Sequence, residues 1–321
     1  MKRAPLTPFS KNVVVFLHDV PSTVWFSDLI GFLGKLYRFV PLTAVEEYYY
    51  DSGGHSRNFC HISFDDGDIS VYRNAFPVLK KGNIPASLFV SPSVIRNGAN
   101  YWFQDIRGMD KELLKAAISN LIECRQDRIK KYSIGSLLKS LPIADIQTII
   151  HQVNKDSATS IIPCNVSAEQ LLKLHCSGLF TIGAHTMNHP ILCNESDETA
   201  RLEIAESIHE LSAMLNARVT SFVYPNGVPG LDFGEREIHI LKQEGITLAF
   251  SARAKWPAKT DDPLAAPRIG VTYNGNFLLL SKILLAPIWE KTKGIIKGIM
   301  RQPTEEAERA EIQRHYRPVH K

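Results

Sequence analysis

The sequence predicts an α/β fold, a distorted or incomplete (β/α) barrel of about seven parallel strands with an inserted helical cap. Short apolar runs typical of strands alternate with segments of helical periodicity, which favours parallel βαβ units. Polar residues suited to chemistry directly follow several of these runs, as they do at the rim of a barrel. Seven strands favour a barrel over an open sheet, although periodicity alone leaves both open.

Seven strand-like runs recur along the chain, each apolar and bounded by turn residues or a helical pattern. They lie at residues 12–17, 59–64, 84–90, 179–184, 219–224, 246–251 and 267–271. The helical segments between them lie at 22–37, 70–81, 167–176, 198–217 and 234–244. This alternation predicts that the carboxyl ends of the strands share one rim.

Residues 101–160 interrupt the alternation, because they show two or three helical patterns without a convincing strand between them. We interpret them as a helical cap inserted into a domain spanning 1–275. Residues 276–321 are predicted as a basic amphipathic segment followed by a solvated charged tail. The part at 276–301 is apolar and carries five basic residues, so it either packs on its own domain or makes peripheral contact with an anionic membrane.

Composition and charge exclude several classes of protein. The net charge of +4 is spread along the chain, so no nucleic-acid partner is predicted. The first twenty residues contain only a short apolar run and no small-residue cleavage site, so we predict no signal peptide and a cytoplasmic location. The five cysteines form no CxxC pair, which fits reduced thiols.

Two adjacent aspartates follow the second predicted strand. Asp65 and Asp66 lie in "HISFDDGDIS", directly after the run at 59–64. Asp-Asp-Gly is also ordinary turn chemistry, because aspartate hydrogen-bonds to nearby backbone and glycine accepts positive φ. Taken alone, the pair is explained by a turn.

A pair of histidines follows the predicted strand at 179–184. His185 and His189 lie four residues apart in "GAHTMNHP", so one helical turn or a tight loop can aim both imidazoles at one point. Surface or core histidines explain most such pairs. Two histidines and one aspartate, however, form a facial set of three ligands with open positions, as a hydrolytic metal site requires. A second aspartate beside that set is a candidate base.

A third motif, "SFVYPNG" at 221–227, ends a predicted strand in a Tyr-Pro-Asn-Gly turn. This turn either has no role beyond reversing the chain or presents a backbone N–H to an oxyanion.

In this order, "SFDDG", "HTMNH" and "FVYPNG" resemble the signature motifs of the polysaccharide deacetylases of carbohydrate esterase family 4, which share the NodB-homology fold. "FPVLKKGNIPASLFV" at 76–90 is similar to that family's helix and second strand. The resemblance covers roughly residues 12–271, interrupted by the cap.

The resemblance implies a role for each motif residue. Asp65 matches the family's catalytic base, whereas Asp66, His185 and His189 match its ligands for a divalent metal ion, usually zinc. Asn226 matches the residue whose main-chain N–H binds the oxyanion. The implied chemistry is consistent, because a divalent metal lowers the pKa of bound water from about 15.7 towards about 7 and a carboxylate can take its proton.

Two positions depart from the family pattern. Val223 stands where the family commonly has an arginine that orients the base, and we predict that Arg268, at the end of the last strand, replaces it; the alternative is a structural salt bridge. The family's late histidine, the general acid, has no counterpart at a strand end after residue 240. His18 ends the first strand and resembles the early histidine of the exopolysaccharide deacetylase branch, so it is our predicted acid; the alternative is a loop histidine satisfied by Asp19.

The predicted function is that of a metal-dependent hydrolase of the polysaccharide deacetylase type, with its NodB-homology domain at 1–275. It removes an N-acetyl group from an amino sugar of a glycan, or of a lipid-linked or nucleotide-linked precursor, which the predicted location favours. One alternative is a deformylase of a lipid-linked amino sugar. The other is a catalytically inactive glycan-binding homologue. Trp102 and Phe103 suit either stacking on a sugar ring or core packing.

Overall fold

The computed structural model describes residues 11–51, 58–122, 129–155, 163–271, 278–286 and 305–315. These residues form one parallel β-sheet of eight strands with helices packed around it. The strands are β1 (Val13–Leu17), β2 (Arg38–Phe39), β3 (Phe59–Phe64), β4 (Ala86–Val90), β5 (Phe180–Ala184), β6 (Ser221–Val223), β7 (Leu248–Phe250) and β8 (Ile269–Gly270).

Helices alternate with most of the strands, as the periodicity predicts. They are α1 (Thr23–Leu36), α2 (Leu42–Tyr50), α3 (Phe76–Gly82), α4 (Pro92–Asn97), α5 (Trp102–Asp105), α6 (Lys111–Leu121), α7 (Ile134–Leu138), α8 (Ile143–Lys155), α9 (Ala168–Cys176), α10 (Asp197–Leu215), α11 (Glu235–Gln243), α12 (278–286) and α13 (Glu305–His315). Ser22 and Ser167 cap α1 and α9, since each hydroxyl accepts a backbone N–H of the first turn. The predicted helix at 70–81 begins as a π-helical turn, Val71–Ala75, just before Pro77, which removes one N–H from the ladder.

The sheet closes on itself at a single point. All its strand pairs are parallel, in the order β7-β6-β5-β4-β3-β1-β8, with β2 alongside β3. An isolated parallel bridge joins Phe250 of β7 to Ala266, shortly before β8, and the N–H of Ser251 donates to the Ala266 carbonyl at 2.9 Å. The segment just before β8 therefore meets β7 there, which confirms the prediction of a distorted or incomplete barrel.

The seven predicted strands each contain an observed strand. The eighth, β2, has only two residues and carries no periodicity that a sequence pattern can reveal. Alternate strand residues face the inside of the curled sheet, where Val14, Phe89, Val223 and Phe250 belong to one buried cluster. Residues of the opposite parity, such as Val15, belong to the larger core under the helices.

The predicted cap at 101–160 is helical over α5 to α8 and has a core of its own. Leu114, Ile118, Leu138 and Ile146 are buried in that core. The division of the chain at residue 275 stays a prediction, because residues 272–277 lie outside the described part of the chain.

Of the predicted solvated tail, the structure describes residues 305–315, and these differ from the prediction. Helix α13 packs on the cap and on the main domain, and it buries Arg309 (0% exposed) and Ile312 (3% exposed). Its charges find partners of opposite sign, such as Lys139 of the cap, whose Nζ lies 2.6 Å from Glu305 Oε1. Because these partners compensate its charges, the segment is ordered against the protein although its composition favours solvent.

Of the predicted amphipathic segment at 276–301, the structure describes only 278–286. Leu279 and Ile283 pack into the main core, and the indole N–H of Trp256 donates to the Ile283 carbonyl at 2.7 Å. Within the described ranges, no helix combines the length and the apolar character needed to cross a membrane. Membrane contact by this segment stays a prediction.

Candidate functional site

The strand ends bring the predicted motifs to one place. The positions that continue the inward-facing alternation beyond β1, β3 and β5 are His18, Asp65 and His185. All the predicted site residues line one cavity of about 310 Å³: His18, Asp65, Asp66, His185, His189, Asn226 and Arg268. The fold therefore gathers residues that lie up to 250 positions apart in the sequence.

A buried cluster of three side chains is suited to hold a metal ion. The ligand atoms of Asp66, His185 and His189 lie within 4.8 Å of one another, and the two Nε2 atoms are 3.4 and 3.5 Å from Asp66 Oδ1. The Nδ1–H of His185 donates to the Val223 carbonyl at 2.7 Å, which leaves the Nε2 lone pair directed at the cluster. Among the described residues, the buried Asp66 Oδ1 has no hydrogen-bond partner, a state that a cation would relieve. These residues fit a divalent ion, and two imidazoles with one carboxylate suit zinc.

Left-handed backbone shapes both loops of this cluster. Asp66 has φ of 67° and His189 has φ of 58°, a region that residues with a Cβ seldom adopt. Gly67 follows with φ of 82°, and a Cβ there would lie 2.9 Å from Val90 Cγ1. Asp-Asp-Gly is therefore a tight turn, and that same turn aims the second aspartate at the histidines.

Nearby charges and burial set the protonation of the cluster. Burial alone would raise the pKa of Asp66, but the adjacent imidazoles of His185, His18 and His189 outweigh it and lower this pKa. Burial, together with the neighbouring His185, lowers the pKa of His189 to about 3. Near neutral pH, Asp66 is thus ionised and His189 is neutral, which are the forms that bind a metal ion.

Asp65 is held by Arg268 through two parallel hydrogen bonds. The guanidinium Nη1 and Nη2 donate to Asp65 Oδ1 and Oδ2 at 2.8 and 2.9 Å. Arg268 is only 1% exposed, and its guanidinium lies 4.4 Å from the ring centroid of Phe16. A bidentate pair of this kind fixes the plane of the carboxylate. The arrangement is the one that the sequence predicts for a base and its orienting arginine.

The position of Arg268 in the strand differs from the prediction. The sequence places it at the end of the last strand, whereas it immediately precedes β8, which begins at Ile269. Ile269 pairs with Val15, in the middle of β1, so β8 starts only halfway up the barrel. The long arginine side chain bridges the remaining height to Asp65, which follows β3.

His18 lies at the exposed rim of the cavity, directly after β1. Its ring makes an edge-on contact with Phe16, with the ring centroids 5.6 Å apart. It lines the same cavity as Asp65 and the histidine cluster. This position agrees with the predicted general acid, and the role itself stays a prediction.

Asn226 lies in the turn after β6 and also has left-handed backbone, with φ of 60°. Its main-chain N–H has no hydrogen-bond partner within the described ranges. Both ends of its side-chain amide are engaged, since Nδ2 donates to Asp232 Oδ2 at 2.7 Å and Oδ1 accepts from Lys139 Nζ at 3.0 Å. The side chain therefore anchors the turn, and the N–H is available to a ligand.

Aromatic residues of the cap form one wall of the cavity. The indole N–H of Trp102 donates to the His189 carbonyl at 3.0 Å, and the phenol of Tyr101 donates to the Asp66 carbonyl at 2.8 Å. Phe103 stacks on Tyr101 with ring centroids 5.2 Å apart and packs against His189. These rings brace both metal-binding loops, and Phe103 also faces the cavity.

Several supporting residues are not predicted from the sequence. Glu203 of α10 accepts hydrogen bonds from the backbone and side-chain amides of Asn188 at 2.8 and 2.7 Å and so holds the histidine loop. An acid within the buried stripe of an amphipathic helix is the signal that could reveal Glu203. Tyr101, Lys139 and the partners of Asn226 give no comparable signal.

Comparison with known proteins places the chain in a family. The sequence pattern of the polysaccharide deacetylases matches residues 52–249, more than half of the chain. The chain belongs to the polysaccharide deacetylase family. The matched segment contains the metal cluster, Asp65 and Asn226, whereas His18 and Arg268 lie outside it.

Individual relatives agree with this membership. A poly-beta-1,6-N-acetyl-D-glucosamine N-deacetylase of Staphylococcus epidermidis is 24% identical over 232 residues, which are 70% of this chain. The chain spans 58% of the length of that relative. The similarity to this deacetylase therefore extends over part of each chain.

Solved deacetylase structures share the fold. IcaB from Ammonifex degensii superposes with a TM-score of 0.59 at 22% identity, over 86% of this chain and 97% of that chain. The Streptococcus pyogenes deacetylase PplD in complex with acetate superposes with a TM-score of 0.57 at 16% identity, over 85% and 98%. At such identities the likeness concerns the fold alone.

Proposed function

We propose that this polysaccharide deacetylase removes N-acetyl groups from an amino-sugar polysaccharide with the help of a divalent metal ion, preferably zinc. The observation that carries the proposal is a three-ligand cluster beside an aspartate that a buried arginine holds by both oxygens. The relative from Staphylococcus epidermidis supports β-1,6-linked N-acetyl-D-glucosamine as the substrate class.

Asp65 acts as the base in this proposal. A divalent ion held by Asp66, His185 and His189 would polarise the acetamide carbonyl and lower the pKa of water to about 7. Asp65 accepts the proton of the attacking water. Arg268 occupies one lone pair on each of its oxygens, so each oxygen keeps another lone pair for that proton.

Two further groups complete the reaction. The N–H of Asn226 donates to the oxygen that gains negative charge when the carbonyl is attacked. His18 donates a proton to the amine nitrogen as the bond between carbon and nitrogen breaks. Its place at the exposed rim lets it recover a proton from solvent after each turnover.

The bidentate contact of Arg268 argues for an enzyme rather than an inactive glycan-binding homologue. Val223 faces the apolar interior of the barrel and cannot orient a carboxylate. Arg268 makes the contact that the base needs from the position just before β8. Arg268 also donates to Ser63 Oγ at 3.2 Å and to the Ser251 carbonyl at 3.3 Å, so its guanidinium is fixed in the orientation that a base requires of its partner.

The cellular location and the physical form of the substrate belong to the same proposal. In the cytoplasm, or at the inner face of a membrane contacted by 276–301, the substrate would be a lipid-linked or nucleotide-linked precursor. Deformylation of a lipid-linked amino sugar would use the same metal ligands and base. It differs from deacetylation in releasing formate instead of acetate.

The substrate class can be tested with zinc-loaded protein and three compounds: a β-1,6-linked N-acetylglucosamine pentamer, its N-formyl counterpart, and UDP-N-acetylglucosamine. We expect acetate and free amine from the pentamer, more slowly from the sugar nucleotide, and at least about 10²-fold more slowly again from the Asp65→Asn variant. Faster release of formate would favour the deformylase. If none of the three compounds yields free amine, the proposed hydrolase activity is contradicted.

A further inference from the structure

A buried ion pair joins the C-terminal helix to the turn beyond β6. Arg309 Nη2 of α13 lies 2.6 Å from Asp232 Oδ1, and both side chains are 0% exposed. Within the described ranges, neither the three guanidinium nitrogens of Arg309 nor Asp232 Oδ1 meets hydrogen-bond geometry, so the contact is an ion pair held by charge. Two charges taken out of water need each other, because either one left alone would remain uncompensated. The pair therefore couples the position of α13 to the position of this turn.

The other oxygen of Asp232 holds the turn that contains Asn226. Asp232 Oδ2 accepts from Asn226 Nδ2 at 2.7 Å and from the N–H of Val228 at 2.7 Å. Gly227 lies between them with φ of 75°, and a Cβ there would lie 2.9 Å from the backbone nitrogen of Ala252. One carboxylate thus accepts hydrogen bonds from the residues on both sides of Gly227, in a turn that is closely packed against Ala252.

Helix α13 reaches the same asparagine by a second route. Lys139 of the cap donates to Asn226 Oδ1 at 3.0 Å and to Glu305 Oε1 at 2.6 Å. The donor and the acceptor of the Asn226 side-chain amide therefore both engage groups that α13 contacts.

We propose that Asp232 and Arg309 are positioning residues, which fix the main-chain N–H of Asn226 where the oxyanion of the reaction forms. The inference rests on the proposed function. Because removal of an oxyanion donor costs about 10²- to 10³-fold in kcat, a donor that is only displaced loses less, about 10- to 100-fold. Arg309 then supports the site from outside the segment matched by the family.

The same helix offers a matched control. Glu311 Oε1 lies 2.7 Å from Lys131 Nζ of the cap, and these side chains are 40% and 59% exposed. This pair also docks α13 on the cap, but it has no contact with Asp232 or Asn226. An exposed pair of this kind contributes little free energy, so E311Q should leave turnover unchanged.

The test compares wild type, R309M, R309K and E311Q in their zinc-loaded forms. We expect R309M to lower kcat on the N-acetylglucosamine pentamer about 10- to 100-fold, with KM within twofold of wild type. A glucosamine oligomer carrying a methylphosphonamidate in place of the acetamide mimics the tetrahedral state, and its affinity should weaken by the same factor. R309K keeps the charge and should recover part of both losses, whereas E311Q should resemble wild type.

Unchanged kcat in R309M would overturn the positioning role, and so would a reduced kcat with undiminished affinity for the methylphosphonamidate. If R309M does not fold, the double variant D232N/R309M removes both buried charges, and it should fold and show the same losses. Wild-type turnover by that double variant would also overturn the role. Absence of acetate release by wild type would instead contradict the proposed function on which the role rests.

Discussion

Asp65 and Asp66 are neighbours in the chain and yet meet different partners. Asp65 continues the alternation of β3 and pairs with Arg268. The left-handed backbone of Asp66 breaks that alternation and turns its carboxylate to His185 and His189. One turn therefore supplies a candidate base and a candidate metal ligand side by side.

The role of His18 as the acid can be tested separately from the rest of the site with two substrates that differ in their leaving group. An amine must be protonated to depart, whereas 4-nitrophenolate departs without a proton. Because general acid catalysis contributes about 10²- to 10⁴-fold, we expect H18Q to lower kcat/KM for the pentamer at least about 10²-fold and for 4-nitrophenyl acetate less than about threefold.

The control for this measurement is H209Q. His209 is an exposed histidine on α10, and its Nε2 lies 2.8 Å from Glu244 Oε2. It is not among the residues that line the cavity. Both substrates should be hydrolysed by H209Q at the wild-type rate. An equal loss on amide and ester in H18Q would show that His18 does not act as the acid.

Individual site residues were predictable where a motif marks them. The aspartate pair and the histidine pair follow strands, so their meeting at one rim follows from parallel topology. Other contacts join residues of different elements, and no local sequence pattern predicts them. Examples are the contacts between Tyr101 and Asp66 and between Arg309 and Asp232. Such contacts depend on how the cap and α13 dock, which periodicity does not specify.

At the scale of elements, periodicity predicted the strands and most helices. For α13, however, the high content of charged residues predicted a solvated segment, and that prediction was wrong. Helix α13 contains eleven residues and reads as solvated because so many are charged. Arg309 and Ile312 lie three positions apart on one helical face, and that face is the buried one. A charged helix can be buried when the surface that receives it carries the opposite charges.

The docking of the cap depends on a buried acid. Glu195 is 7% exposed, and its Oε1 accepts the N–H of Ile143 at the start of α8 at 2.7 Å. Burial raises the pKa of Glu195 to about 7; the hydrogen bond from Ile143 opposes this rise, and the nearby charges of Glu203 and Asp145 add to it. The folded protein therefore binds this proton more tightly than the unfolded chain, whose glutamates titrate near pH 4.3.

A raised pKa of this kind makes the fold less stable as pH rises. The contribution of Glu195 is full below about pH 4 and is lost as pH rises through about 7, by an amount on the order of 2 kcal/mol. We expect the free energy of unfolding in urea to fall less between pH 5 and pH 8 in E195Q than in wild type. E206Q, which alters an exposed glutamate of α10, should keep the wild-type dependence. The same pH dependence in E195Q and wild type would contradict this account of the cap.

The whole molecule assembles its site from three regions of the chain. The segment matched by the family supplies the metal cluster, Asp65 and Asn226. His18 precedes that segment and Arg268 follows it, yet β8 lies beside β1, and a bridge at Ala266 joins the chain just before β8 to β7. The near-closure of the barrel thus brings both ends of the domain to the cavity, and α13 adds the last support from beyond β8.

The central claim is that the two adjacent aspartates divide the work, Asp65 as base and Asp66 as metal ligand. It is tested most directly by measuring zinc binding by titration calorimetry and acetate release from the pentamer in wild type, D65N and D66N. We expect D65N to bind one zinc ion with wild-type affinity and to lose at least about 10²-fold in kcat. D66N should bind zinc at least about 100-fold more weakly. Wild-type turnover by D65N, or wild-type zinc affinity in D66N, would contradict the account.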